Sequence, residues 1–246
     1  MASAPRELRP AFYSLRRGGW RDLVTVLHPP YTAWHLSYVA LGAAAAPHVH
    51  LGRLGAALGA FFLAVGVSAH ALDELNGRPL DTALSRRTLI GLAAVSLVGA
   101  VAIGVAGAVI VSALLIPLVL CGALLVPAYN LELGRGRFHN DTWFALAWGA
   151  FPAFTGFFSS ALRITVPGVL VSVACFLLSV AQRRLSTPVR RLRRQTLEVH
   201  GSQRLRDGRV LEVTRETLSD PLDGALSALS VAMVVLAVGL LAVRVS

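Results

Sequence analysis

Between residues 88 and 129 the chain carries no charged side chain. A bilayer-spanning helix needs about 20 consecutive apolar residues, so this one run has room for two of them. Similar windows recur at about 31–47, 54–72, 142–160, 165–181 and 222–243, and the long run divides into 88–106 and 109–129. The pattern predicts an all-α, polytopic transmembrane helical bundle of about seven spans. With 55% hydrophobic and only 15% charged residues, the chain is not an ordinary soluble domain. The expected organisation is an interfacial N-terminal segment over 1–28, a six-span bundle over 29–181, a basic loop over 182–221 and a last transmembrane helix within 222–246.

All 23 basic residues are arginine, and the formal net charge is +10. In a soluble protein that balance would suggest nucleic acid. In a membrane chain, basic segments more simply set topology and meet anionic headgroups, so membrane lipids rather than nucleic acid are the expected partners. The N-terminal segment and the loops after the second, fourth and sixth spans hold 5, 3, 2 and 10 arginines, against Arg53, Arg163 and Arg244 on the other side. The asymmetry predicts a multi-pass cell-membrane protein with a cytoplasmic N-terminus. Within 182–221, Asp207-Gly208 between alternating residues gives a weak hairpin signal. Cys121 and Cys175 lie inside apolar spans and read as packing residues.

The chemistry concentrates in 61–82, FFLAVGVSAHALDELNGRPLDT. An apolar helix there ends in His70, Asp73, Glu74, Asn76, Arg78 and Asp81, with positions 70, 73 and 74 on one broad face. Ionisable groups at the end of a span are costly unless they meet a wet cavity, an ion or one another, so they mark a candidate site. The other clusters share the arginine-rich side: Tyr129, Asn130, His139, Asn140 and Asp141 after the fourth span, and Gln182 and Arg183 after the sixth. Carboxylates on a hard cation together with arginines suit a diphosphate ester. Mg²⁺ takes one or two protein carboxylates plus phosphate oxygens and water. Arginine donates in pairs to the remaining oxygens. On this reading Asp73 and Glu74 hold Mg²⁺, and an apolar bundle beneath holds an isoprenoid tail.

The order of these parts resembles the UbiA-type family of intramembrane prenyltransferases. The resemblance rests on Ala69-His70 through Asp73-Glu74, then Arg78-Pro79-Leu80, Ala128-Tyr129-Asn130, and Ala147-Trp148-Gly149 followed by Pro152 and Gly156. It covers roughly residues 20–180. It implies a UbiA-like helical bundle with a central cavity and Mg²⁺-dependent transfer or cyclisation of an isoprenoid diphosphate, with a lipid-soluble acceptor. Carried onto this chain, the catalytic residues would be Asp73, Glu74, Tyr129, Asn130, His139 and Asp141. His70, Asn76, Arg78, Asp81, Gln182 and Arg183 would bind substrate. The chain departs from the family pattern in two places. Ala69, Asp73, Gly77 and Asp81 fill only part of the Asn/Asp register, and no acid follows Gln182-Arg183-Arg184 before Glu198.

Two other classes fit some of the same residues. A non-catalytic isoprenoid- or lipid-binding protein, or a partner subunit, accounts for the missing second acidic motif. A transition-metal membrane enzyme would use His70, His139, Asp73, Glu74 and Asp141 as ligands. A transporter fits less well, since no charged residue sits mid-span and no Gly/Pro-broken helix pair recurs in matching halves.

Overall fold

The computed structural model describes residues 10–246; Arg6 and Arg9 of the basic N-terminal segment lie outside them. After a short surface helix α1 (Trp20–Val26), helix α2 (Pro29–Ala45) starts at Pro29-Pro30, where missing N–H groups cost nothing. Helix α3 (Leu51–Leu75) follows the loop 46–50 and contains a π-type turn over Phe62–Ala69. Helix α4 (Arg86–Ile110) is capped by Ser85, whose Oγ accepts from the Thr88 amide at 3.1 Å. A single 3₁₀ turn leads into α5 (Ile116–Asn130). Helix α6 covers 141–161, again with a π-type turn, at Leu146–Ala150. Helices α7 (Val166–Arg194) and α8 (Arg215–Val245) complete the bundle.

Among the described residues, five helices are long and apolar enough to cross a membrane: α3, α4, the run Ala113–Asn130 containing α5, α7 and α8. The other two expected spans, α2 and α6, pack against each other; α3 and α7 pack on both and α8 on α2, while α4 and α5 stand further out against α3. The contact between α2 and α6 is set by glycine. A Cβ on Gly42 would collide with the Ala153 carbonyl, and one on Gly156 would collide with the Val39 carbonyl. Each helix therefore supplies the gap into which the other's backbone fits, the close approach that small residues permit between helices in lipid. Trp34, Tyr38, Val39, Ala43, Ala153 and Phe157 are fully buried around this contact. On the outer helices, Val95, Val98, Val109, Leu124 and Val235 are exposed, as lipid-facing residues must be.

The ends of the bundle are tied by different chemistry. At one end Arg244 donates to the carbonyls of Ala46 and Pro47 at 2.7 Å, and Arg53 reaches the Ser159 carbonyl at 3.3 Å. At the arginine-rich end Arg183 pairs with Asp141 at 2.8 Å and Arg193 pairs with Asp223.

The stretch expected to be a loop from 182 onward is different. Helix α7 continues through Pro188 to Arg194, and α8 begins at Arg215 rather than near 222, with Thr214 and Thr217 forming a reciprocal capping box. Between them the hairpin expected at Asp207-Gly208 is present as β1 (Ser202–Arg204) antiparallel to β2 (Val210–Glu212), with Gly208 at φ 87°.

Candidate functional site

At the arginine-rich end the helices part around a cavity of about 280 Å³. Helix α3 supplies His70, Asp73 and Asn76; α5 supplies Tyr129 and Asn130; α7 supplies Gln182, Arg183, Arg190, Arg193 and Arg194; and Asp223 comes from α8. Phe12 and Tyr13 from the N-terminal segment close one side. Most of the residues expected from sequence therefore do converge, including His139 from the α5–α6 loop.

Four of the expected residues are placed elsewhere. Asp73 faces the cavity, while Glu74, about 100° further round the helix, turns to the loop that follows. The Glu74 carboxylate is fully buried and accepts from the Leu80 amide at 2.9 Å, the Thr82 amide at 2.8 Å and the Thr82 hydroxyl at 2.9 Å. It is the anchor of the 76–82 loop. Arg78 serves the same loop: its guanidinium donates to the Thr82 carbonyl at 2.9 Å and the Leu84 carbonyl at 3.1 Å, outside the cavity. Asp81 is exposed and pairs with Arg17 at 3.3 Å. Asp141 stands behind Arg183, at the start of α6, and orients that guanidinium rather than lining the cavity.

This geometry decides how well the expected Mg²⁺ fits. The pair that was to hold it, Asp73 and Glu74, does not converge. Among the described residues no group of three His, Cys, Asp or Glu side chains stands close enough to hold a metal ion. The charges acting most strongly on Asp73 are Arg194, His139 and Arg190. The carboxylates lining the cavity are Asp73, Glu132 and Asp223, the last already paired with Arg193, and they share the space with four guanidinium groups, so the expected Asp73–Glu74 pair is not the donor set present.

Of the guanidinium groups on this side, Arg183 is expected from sequence, whereas Arg190, Arg193 and Arg194 are not. Positions 183, 190 and 194 recur at helical spacing and form one stripe of α7. Arg183 is committed to Asp141 and stacks its guanidinium over the Phe144 ring at 5.0 Å, while Arg193 is committed to Asp223. Arg190 turns one N–H to Thr187 Oγ1 at 3.2 Å, and among the described residues neither Arg190 nor Arg194 has a carboxylate partner.

The cavity's other walls are aromatic. His28 stacks on His70 with ring centroids 4.1 Å apart, and the Tyr13 hydroxyl meets His28 Nδ1 at 2.7 Å. Burial holds the His28 imidazole well below its ordinary pKa, and His70 and the arginines Arg194 and Arg190 push it the same way. His28 is therefore neutral at pH 7, hydrogen-bonded through Nδ1 to the Tyr13 hydroxyl. Burial also raises the Tyr13 phenol well above its ordinary range. His28, Tyr31, His35 and Trp148 also line the cavity.

Among the described residues, three buried polar atoms of cavity-lining residues have no hydrogen bond, Asp223 Oδ1 being one, although its other oxygen pairs with Arg193. The other two are the Tyr129 hydroxyl and Gln182 Oε1. An orphaned polar atom costs about 1–3 kcal/mol, which a bound polar group would recover.

A second, apolar hollow of about 150 Å³ lies between α3, α4, α5 and α6, lined by Ala57, Ala60, Leu97, Ala100, Val119 and Gly122 among others. The two hollows share Val65 and Trp148 as walls. Each of these residues sits in a π-type turn, Val65 in that of α3 and Trp148 in that of α6. Such turns recur at functional sites because the extra residue re-aims the side chains around it. Comparison with models of known protein families, with curated proteins and with solved structures found no match.

Proposed function

We infer that this protein binds an amphiphile of the isoprenoid diphosphate class, with the phosphate head in the arginine-lined cavity and the apolar chain in the adjoining hollow. The observation that carries this is the pairing of the two hollows across Val65 and Trp148, one faced by Arg183, Arg190, Arg193 and Arg194, the other lined almost wholly by carbon. The UbiA-like order of motifs supports the same ligand class. The arginine-rich end, and with it the cavity, faces the cytoplasm by the positive-inside rule.

Prenyl transfer or cyclisation is the second reading, and the aromatic walls favour it. When an allylic diphosphate leaves, the carbocation left behind would face Tyr31, Tyr129, Phe144 and Trp148, whose ring faces attract positive charge. Arginines would stabilise the departing anion. The withdrawal of Glu74 favours the binder.

One experiment tests both. Purified protein in lipid nanodiscs is given a radiolabelled prenyl diphosphate. Retention of the intact label supports the binder, and release of inorganic diphosphate that Asp73→Asn abolishes supports the transferase. A label that is neither retained nor cleaved refutes the assignment.

A further inference from the structure

The geometry points to recognition of the phosphate head by arginine alone, with no divalent cation required: Arg190 and Arg194 on α7 are its direct ligands, and Arg183 is held beside them by Asp141. The inference rests on the ligand class proposed above and departs from what the motif order implies about Mg²⁺.

Three observations carry it. Glu74, one half of the expected cation site, spends its carboxylate on the Leu80 and Thr82 amides and the Thr82 hydroxyl. A cation placed on Asp73 alone would stand against the repulsion of Arg190 and Arg194, the arginines that act on that carboxylate most strongly. Lastly, Arg190 and Arg194, which among the described residues have no carboxylate partner, line the same cavity as Asp73. Arg190 is half-buried and Arg194 stands at the more open rim, one helical turn further on. Guanidinium groups bind phosphate oxygens bidentately and keep their charge at any physiological pH. Two of them balance a diphosphate's charge to the extent that one Mg²⁺ would. The unpartnered Tyr129 hydroxyl adds a neutral donor to the same cavity.

The test measures the affinity of the full chain in nanodiscs for farnesyl diphosphate and, in parallel, for farnesol. Affinity for the diphosphate is expected to agree within about twofold between EDTA and Mg²⁺. It should fall about tenfold or more in Arg190→Gln and in Arg194→Gln, the loss of one charge-assisted contact of about 1.4 kcal/mol or more. Arg190→Lys should recover only part, because an ammonium restores the charge without the fork. Arg184→Gln removes the same charge from the same helix outside the cavity, and binding should persist; it separates direct contact from long-range attraction. Affinity that collapses in EDTA, or that survives both Gln variants, would overturn the inference while leaving the ligand class standing. Equal retention of farnesol and farnesyl diphosphate, or of neither, would overturn the ligand class and the inference with it.

Discussion

The end of α3 and the end of α7 face each other across one cavity, and they reach it by opposite routes. Helix α3 delivers a conspicuous cluster of acids, yet only His70, Asp73 and Asn76 of its polar side chains line the space. Helix α7 delivers a basic stretch that looks like a loop in sequence, yet four of its arginines line the same space. A dense motif can be mostly scaffold, and a diffuse one can hold the ligand. The balance of charge at the cavity is consequently set by α7, and α3 contributes the shape of its rim.

The sharpest way to break this contrast is to exchange the roles of two neighbours. Glu74→Ala leaves two buried amides and a hydroxyl without their acceptor, and should lower unfolding free energy by about 3 kcal/mol or more. Asp73→Asn next to it should change stability by less than about 0.5 kcal/mol while altering the ligand response. Unfolding in mixed detergent checks both, and equal effects would mean that the neighbours share one role.

Hydropathy made α3, α4, α5, α7 and α8 legible, because a lipid-facing helix has to announce itself in apolar residues. The interior was harder to read. Gly42 and Gly156 look like any glycines until the partner backbone is seen, and nothing in composition places α2 and α6 against each other. The π-type turns that bring Val65 and Trp148 to the boundary between the hollows leave no pattern of their own. The sixth span expected from hydropathy ends at residue 181, because the arginines and Pro188 beyond it look like a loop, although the spacing of 183, 190 and 194 is itself a helical signal. Of the α3 cluster, residue types were legible but not their use, since a one-residue step separates a cavity wall from a loop anchor.

A second test concerns the link between α7 and α8. Arg193→Ala leaves Asp223 partly buried without its partner and should cost about 2 kcal/mol, and Asp223→Asn in that background should recover part of it. A double-mutant cycle in the same unfolding assay measures this, and additivity would show that the pair does not hold the two helices together.

Smaller is the expected effect of Tyr129→Phe. Removing an unpartnered buried hydroxyl should raise stability by up to about 1 kcal/mol while weakening retention of a diphosphate, so stability and binding move in opposite directions. If both fall, the hydroxyl is part of the scaffold.

The smallest change is a slope against pH. His28 is held neutral in the folded state, so the unfolded chain takes up its proton first. The stability that this confers is present above the unfolded imidazole pKa of about 6.5 and is lost as pH falls below it. His28→Gln should flatten the dependence of the unfolding midpoint between neutral and mildly acidic pH, and an unchanged slope would remove His28 as its source.

Pro188 interrupts α7 between Arg183 and Arg190. Proline has no N–H, so the Arg184 carbonyl has no ladder donor, and the helix is softest to bending at that level. Arg190, Arg193 and Arg194 all lie beyond this joint, which makes the last turns of α7 a short lever. A small change of angle there carries the whole charged tip toward or away from α3, whereas Arg183, on the near side and braced by Asp141, keeps its station.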